Sequence, residues 1–295
     1  MQDFRVRTFL TVCRTLNYTR AAEELHITQP AVSQHIAFLE KEYGADLFAY
    51  RRKRLELTKA GLVLRDALST MAHDESMLRE RVSALASGSA VELSIGMTLT
   101  AGEYLAAAPL AEYLAARPDI RATVRSGGTR RLIELLDAGT VDCAFVEGLF
   151  DKSAYEWDVF RTERLICVCA AGHRFAREPQ TVEDLLGERL VTREPGSGTR
   201  AVLDHALAAR NLSIEGFADT LIAESLGVIK VMVAHDLGVA FLYEAAVQRE
   251  LQEGSLKEVL LAGPPIQHDI AFIRLKGSAF EPELQALFDA LRERS

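Results

Sequence analysis

Residues 18–36 read YTRAAEELHITQPAVSQHI, and residues 51–61 read RRKRLELTKAG. The first stretch has the pattern of two short helices joined by a polar break, with small alanines at positions 21 and 22 where the helices must touch. Pro30 fits only the first turn of a helix, and Thr28 or Gln29 can cap that turn. The pattern predicts a helix-turn-helix, which makes duplex DNA the first partner to consider.

The second helix of this motif is predicted over about residues 29–42. Val32, Ile36, Leu39 and Tyr43 recur at the spacing of one helix face and predict a buried stripe. Phe9, Cys13 and Leu16 predict the same for a first helix. The face opposite the stripe is free to meet a DNA groove, where Gln can bond an adenine edge and Ser can bond several bases. The alternative is a solvated helix in an ordinary three-helix domain.

Charge is distributed unevenly along the chain. Residues 1–60 hold ten Lys or Arg and seven Asp or Glu, a balance of +3, whereas the whole chain carries −8. An acidic chain can still bind DNA, because phosphate contacts need only a local basic patch. Residues 48–57 alternate around four basic residues and predict a two-stranded wing that grips the DNA backbone or enters a minor groove. The candidate DNA-binding residues are Thr19, Arg20, Thr28, Gln29, Pro30, Ala31, Ser33, Gln34, Arg51, Arg52, Lys53 and Arg54.

These segments resemble the DNA-binding signature of the LysR-type transcriptional regulators. The resemblance is carried by AAEEL at residues 21–25, TQPAVS at 28–33, LE at 39–40, LF at 47–48 and LTKAG at 57–61, with the spacing preserved. The chain departs from the family pattern at Tyr50 and Lys53, where the family usually has Arg. The resemblance implies a winged helix-turn-helix over residues 1–58.

Residues 59–89 have a different pattern. Leu64, Leu68, Met71, Leu78, Val82 and Leu85 follow a 4-3-4-3 spacing, with Glu75 at the one polar position. A helix over residues 59–87 would be about 43 Å long and would present a coiled-coil seam. An amphipathic helix packed on its own domain is the alternative. The family resemblance favours a dimerisation helix, so that a homodimer or homotetramer would read the half-sites of a partly palindromic operator.

From residue 90 onward the chain alternates apolar runs with helical stretches, which predicts an α/β domain. The resemblance implies a two-lobed effector domain similar to periplasmic binding proteins. Its first lobe would comprise residues 90–162 and 266–295, its second lobe residues 163–265, and two chain crossings would form the hinge.

Ligands of open α/β sheets bind beyond the carboxyl ends of the strands, beside helix N-termini that favour anions. Four predicted strand ends or helix starts carry hydroxyl-rich or glycine-rich turns, and Ser225 begins a further helix. The candidate effector-binding residues are Thr98, Thr100, Gly128, Thr129, Glu147, Arg193, Ser197, Gly198, Thr199 and Ser225. A small anionic effector is predicted, and the resemblance implies that Thr98, Thr100 and Thr199 bind its polar head. Each hydroxyl taken singly can equally be a helix cap.

No catalytic, metal or cofactor site is predicted. The seven histidines show no HExxH or paired metal spacing, and the GSG at residues 196–198 is not a nucleophile elbow. The four cysteines lack a CxxC pair. With no secretory leader and no apolar run of about 18 residues, the chain is expected to be cytoplasmic, away from membranes.

The predicted function is effector-modulated binding to an operator. An architectural DNA binder with an inert C-terminal domain, a redox-sensing regulator, and a metabolic enzyme that merely carries a helix-turn-helix are the alternatives.

Overall fold

The computed structural model describes residues 3–294, which form two compact units. The head unit contains the residues up to Ser89, together with Asp137–Gly139 and Lys276–Phe280. The effector unit contains the rest, Ala90–Leu136, Thr140–Leu275 and Glu281 onward. Both units have their own apolar core.

Three short helices open the head unit, and each begins at a residue suited to the start of a helix. They are α1 (Phe4–Thr15), α2 (Tyr18–Leu25) and α3 (Gln29–Tyr43). Asn17 accepts hydrogen bonds from the amides of Thr19 and Arg20, and the Thr28 hydroxyl accepts one from the Ala31 amide. The predicted helix start at Thr28 to Pro30 is therefore confirmed.

The core of the head unit lies between these helices. Ala21, Ala22, Val32, Ile36 and Leu39 are all buried, as the helix-turn-helix pattern predicts. Two residues that were expected in the apolar stripes are exposed, and Cys13 is half-buried. Leu16 follows the end of α1 in a left-handed conformation, and Tyr43 is exposed in the last turn of α3.

A tight hairpin follows, formed by β1 (Phe48–Arg51) and β2 (Arg54–Leu57). Its two-residue turn consists of Arg52 and Lys53, which both have positive φ, at 48° and 65°. Such a turn normally takes Asn or Gly, because side chains with a Cβ are strained there. The wing therefore carries two cationic side chains at its tip despite a backbone cost of roughly 1–2 kcal/mol per residue.

The long helix α4 (Lys59–Ser87) has the bounds that the sequence predicts. Thr58 caps it at the Gly61 amide, and Gly88 ends it with a left-handed residue. Leu68 is buried in the head core, but the predicted seam beyond it is exposed: Met71, Leu78, Val82 and Leu85 have 54–85% of their surface accessible. Its buried residues Met77 and Ala84 lie on another stripe, so the exposed apolar seam has no partner within the described chain.

The effector unit alternates strands and helices around a large mixed sheet. Its strands are β3 (Val91–Met97), β4 (Ile120–Ser126), β5 (Cys143–Val146), β6 (Tyr155–Ala170), β7 (Arg189–Thr192), β8 (Asp219–Ile222), β9 (Ala240–Tyr243), β10 (Leu256–Glu258) and β11 (Ile266–Leu275). Its α-helices are α5 (Ala107–Ala115), α6 (Thr129–Asp137), α7 (Gly198–Ala208), α8 (Leu226–Ala234), α9 (Glu244–Glu253) and α10 (Glu281–Arg292). A π-helical segment, Ala101–Ala106, precedes α5.

The larger sheet has the order β10-β6-β11-β5-β3-β4, and β9 also pairs with β6. The pairing of β3 with β4 and β5 is parallel, so their carboxyl ends meet at one edge. The strands β7 and β8 form a smaller parallel sheet.

The strand β11 pairs along its whole length with residues 155–165 of β6, except at one bulge. Ile270 lies opposite Arg161, whereas Ala271 lies opposite Val159, so Phe160 is the extra residue. The half of β6 before the bulge packs with β5 through Phe160, and the half after it pairs with β9 and β10. This geometry agrees with the two-lobed, periplasmic-binding-protein-like architecture.

Candidate functional site

The first candidate surface is the exposed face of α3 in the head unit. Thr28, Gln29, Pro30 and Gln34 are exposed, and Ala31 and Ser33 are half-buried. Gln29 donates a hydrogen bond from Nε2 to Ser33 Oγ at 2.9 Å, which joins two of the predicted base readers. Thr19 and Arg20 are exposed in the first turn of α2. These side chains are accessible, and their donors and acceptors are of the kinds that read base edges and phosphates.

The basic side chains of the wing are the second part of this surface. Arg51, Arg52, Lys53 and Arg54 are all exposed, and none of them has an ion pair with an acidic residue of the described chain. Cations that lack an internal counter-charge are available for phosphates. The hairpin register pairs Arg51 with Arg54, so like charges lie directly opposite each other.

The second candidate site lies at the strand ends of the effector unit and is centred on Glu147, which directly follows β5. Glu147 Oε1 accepts hydrogen bonds from the hydroxyl of Thr199 at 3.0 Å and from that of Thr100 at 3.4 Å. The Thr129 hydroxyl donates to the Glu147 carbonyl. The structure thus brings together four of the predicted residues, which lie after β3, at the start of α6, after β5 and at the start of α7.

Glycines allow these segments to approach each other closely. A Cβ atom on Gly198 would lie 2.3 Å from Glu147 Cγ and 2.5 Å from the Glu147 carbonyl oxygen. A Cβ atom on Gly128 would lie 2.7 Å from the carbonyl oxygen of Gly196. Only glycine fits at these two positions without displacing backbone, so the segment before α7 lies directly against the strand-end loops.

Glu147 is almost completely buried, and burial raises the pKa of its carboxyl group from 4.5 to about 7. The hydrogen bond from Thr199 and the positive charge of Arg193 act in the opposite direction and limit this rise. Oε2 of the same carboxylate has no hydrogen-bond partner among the described residues. The site therefore contains a buried acid with one satisfied and one unsatisfied oxygen.

The other predicted effector residues divide into two groups. Ser197 is buried beside the cluster, and its hydroxyl has no partner among residues 3–294, while Arg193 is buried and paired with its neighbour Glu194 at 2.9 Å. Thr98 and Ser225 instead accept hydrogen bonds from the amides of Ala101 and Val228, both at 3.4 Å. These two hydroxyls cap helical segments, which is the alternative that the sequence left open for them.

Two features of the effector unit were missed at the sequence level. Tyr243 ends β9 with a buried hydroxyl that has no partner among the described residues, and the charge of Glu147 helps to raise its pKa. Lys230 binds Glu250 at 2.8 Å, and its ammonium group lies 5.0 Å from the ring centre of Tyr104. Tyr104 follows the predicted hydroxyl-rich turn in the sequence, but nothing in the pattern indicates its partner.

The cysteines are free thiols in environments that suppress reactivity. Burial raises the pKa of Cys13 to about 12 and that of Cys169 to about 11, and it raises the pKa of Cys143 and Cys167 as well. Redox sensing requires accessible thiolates, which these surroundings disfavour. Residues 3–294 contain no group of three or more His, Cys, Asp or Glu side chains placed to hold a metal ion.

Among residues 3–294, no helix has both the length and the apolar character needed to cross a bilayer.

Two family profiles match this chain, one at each end. Residues 5–62 match the profile of the bacterial regulatory helix-turn-helix protein, lysR family, and residues 86–295 match the LysR substrate binding domain. The HTH-type transcriptional regulator CysL of Bacillus subtilis (strain 168) is 30% identical over 247 residues, which is 83% of this chain and 82% of CysL.

Solved structures share the fold. ArgP from Mycobacterium tuberculosis gives a TM-score of 0.66 at 19% identity, covering 99% of this chain and 97% of its own. Full-length LysG from Corynebacterium glutamicum, with its bound effector Arg, gives 0.63 at 22% identity and covers 99% of both chains. The profile matches extend over most of the sequence, and the relatives are transcriptional regulators rather than enzymes. This chain belongs to the LysR family of DNA-binding transcriptional regulators, with an N-terminal helix-turn-helix and a C-terminal effector-binding domain.

Proposed function

We propose that the protein binds a partly palindromic operator in the cytoplasm as a homodimer or homotetramer, and that a small effector in the Glu147 cluster changes the affinity. The observation that carries this proposal is the exposed face of α3 beside an unpaired basic wing in a chain of this family. Gln29, Ser33 and Gln34 would read base edges, while Thr19, Arg20 and the wing residues would bind the DNA backbone.

The exposed seam of α4 supports the oligomeric part of the proposal. Met71, Leu78, Val82 and Leu85 form an apolar stripe at coiled-coil spacing with no partner in the described chain. Two such stripes would bury each other across a twofold axis and place two heads at the two half-sites. We accordingly divide the chain into a winged helix-turn-helix domain over residues 1–58, a linker helix over 59–89 and an effector domain over 90–295.

The effector part rests on the cluster at the strand ends. The lobe of residues 90–162 and 266–295 contributes Thr98, Thr100, Gly128, Thr129 and Glu147, and the lobe of residues 163–265 contributes Arg193, Ser197, Gly198 and Thr199. A ligand that binds both lobes would stabilise one lobe angle over another and so shift the population of DNA-binding states. LysG, a fold relative, has Arg as its bound effector. For this chain a small effector with an anionic group remains our proposal.

The experiment combines selection of duplexes with a ligand panel. Sequences are enriched from a random duplex library with the full chain, and their affinity is measured by fluorescence anisotropy with and without small carboxylates, oxyanions and amino acids. The proposal predicts an enriched, partly palindromic sequence and at least one compound that changes its affinity. An architectural binder would enrich no sequence, and an affinity that no compound alters would contradict effector control.

A further inference from the structure

The N-terminus of α7 is the place where the sequence predicts an effector anion, and a side chain of the chain itself lies there. Glu147 directs its carboxylate at the first turn of this 11-residue helix. Its Oε1 accepts from the Thr199 hydroxyl at 3.0 Å, and the Thr199 amide also donates to the carboxyl group. Exposed amides at a helix N-terminus attract an anion. Here they already have one.

The contact is built into the packing of the segments around it. Gly198 has no side chain, and the nearest atoms to the position where one would begin belong to Glu147. Thr100 adds a second hydroxyl to Oε1, and Thr129 holds the Glu147 backbone. The carboxylate is thus fixed from several segments at once, and little freedom remains for it to leave the helix.

Three polar atoms near this contact lack partners among the described residues: Glu147 Oε2, the Ser197 hydroxyl and the Tyr243 hydroxyl. All three residues are buried. A buried carboxylate oxygen without a donor is the group most in need of a ligand. Above its pKa of about 7 the group is an ionised carboxylate, so an oxyanion would meet it as a like charge, whereas an ammonium or hydroxyl group would complete its hydrogen bonding.

The charged groups around Glu147 fit the same interpretation. Arg193, whose positive charge lowers the pKa of Glu147, is engaged with Glu194 through both Nε and Nη2. Burial raises the pKa of the Tyr243 hydroxyl, and the charges of Glu147 and Glu163 act in the same direction. No cation of the described chain forms an ion pair with Glu147 that would neutralise its charge and so allow an acidic ligand to bind beside it.

We propose that Glu147 is an intramolecular ligand of α7, which excludes oxyanions from this helix N-terminus and leaves a position at Oε2 for a hydrogen-bond donor of the effector, an ammonium or a hydroxyl group. The inference rests on the proposed function only in placing the effector in the Glu147 cluster. Any anionic group of the effector then binds away from the first turn of α7.

The first test uses inorganic sulfate as the probe and calorimetric titration of the full chain at pH 8, where Glu147 is mostly ionised. Glu147→Ala removes the internal carboxylate, so sulfate is expected to bind this variant saturably and at least ten-fold more tightly than it binds the wild type. Glu112→Ala is the matched control, because it removes the same charge from an exposed position on α5. Equal sulfate binding by the wild type and Glu147→Ala would overturn the inference.

The second test compares ligands that differ in one donor group. L-Alanine and L-lactate carry an ammonium and a hydroxyl where propionate carries hydrogen, and thermal shifts of the wild type are expected to favour the two donor-bearing compounds. Glu147→Gln presents an N–H donor in place of one oxygen, so it should lose this preference while remaining folded. A wild type that prefers propionate, or that binds sulfate in a Thr199-dependent manner, would contradict the inference even if Glu147→Ala does not fold.

These outcomes are separable from those of the proposed function. Duplex binding by the wild type, measured in the same preparations, tests the regulator assignment. Normal duplex binding without the gain of sulfate binding in Glu147→Ala removes the role of Glu147 and leaves the proposed function intact.

Discussion

Gln29 donates its side-chain amide to the hydroxyl of Ser33, one turn further along α3, at 2.9 Å. Two of the predicted base-reading side chains are therefore oriented by each other before any DNA arrives. Gln34 lies next to this pair and is exposed without such a contact. The pair reduces the side-chain entropy that binding must remove, whereas Gln34 keeps both its donor and its acceptor for a base.

Gln34→Ala is expected to weaken binding to the selected duplex by about 1–3 kcal/mol while leaving binding to random duplexes nearly unchanged, because an adenine-edge contact carries sequence information. Anisotropy titrations with both duplexes measure the two affinities. Gln252→Ala, which changes an exposed glutamine of the effector unit, is the control. A uniform loss on both duplexes would show that Gln34 does not read a base.

Arg52→Asn is expected to stabilise the head unit and weaken DNA binding at the same time. Asn tolerates the positive φ at this position, so the free energy of unfolding should rise by several tenths to about 1 kcal/mol. Loss of one phosphate contact should lower the slope of log affinity against log salt by about one. Arg54→Ala, in extended backbone, should lower the slope without the gain in stability. An unchanged slope in both variants would remove the wing from the DNA surface.

Leu78→Glu and Leu85→Glu are expected to dissociate the oligomer, because each places a charge in the apolar seam of α4. Sedimentation velocity measures the subunit number across a concentration series. Ser83→Glu introduces the same charge at an exposed position away from the seam and should leave the oligomer intact. If all three variants sediment like the wild type, the seam is not the subunit interface.

The pH dependence of stability is expected to report the state of Glu147. Its pKa is about 7 in the folded chain and 4.5 as the reference value, so the folded state binds more protons between these values. The stabilising contribution is complete below pH 4.5 and is lost as the pH rises through 7. The free energy of unfolding is measured with urea at pH 5 and pH 8. The difference between Glu147→Gln and the wild type should shift in favour of the variant by on the order of 1–3 kcal/mol from pH 5 to pH 8. Glu112→Gln should show no such gain, and a gap that does not change with pH would contradict the raised pKa.

Thr199→Val is expected to lower the stability of the effector unit by about 1–3 kcal/mol, because Glu147 Oε1 loses its shorter side-chain hydrogen bond. The variant should also lose the thermal shift caused by whichever compound alters operator affinity. Thr199→Ser keeps the hydroxyl and should retain both properties. A ligand shift that survives in Thr199→Val would place the effector elsewhere.

The sequence pattern predicts much of the fold because short runs rich in apolar and β-branched residues indicate strands. The runs at 91–95, 120–124 and 141–146 all lie in or next to strands of the sheet. The short strand β8 was missed, since Asp219–Ile222 is only partly buried and carries little periodic signal. The first half of β6 was also missed, although apolar and charged residues alternate at its start as they do in a half-buried strand.

The candidate effector site was predictable in its residues but not in its internal contacts. Strand-end reasoning selects Thr100, Thr129, Glu147 and Thr199 from distant parts of the chain, and these four residues lie together. The same reasoning cannot indicate that Glu147 lies against the α7 N-terminus, since that contact depends on how closely Gly198 packs in three dimensions. Ser225 shows the converse, because its local role as a helix cap is all that the structure assigns to it.

We propose that any bending between the two lobes of the effector unit pivots at the bulge at Phe160. Bending between the two lobes can be absorbed by the few backbone dihedrals at this interruption of the β6–β11 ladder, since the pairing on either side is continuous. The pivot is not loose, because the ring of Phe160 is buried 4.9 Å from that of Phe145. Any rotation there would have to repack these aromatic rings, so we expect substitutions that change the volume of Phe160 to alter the response of the regulator to its effector.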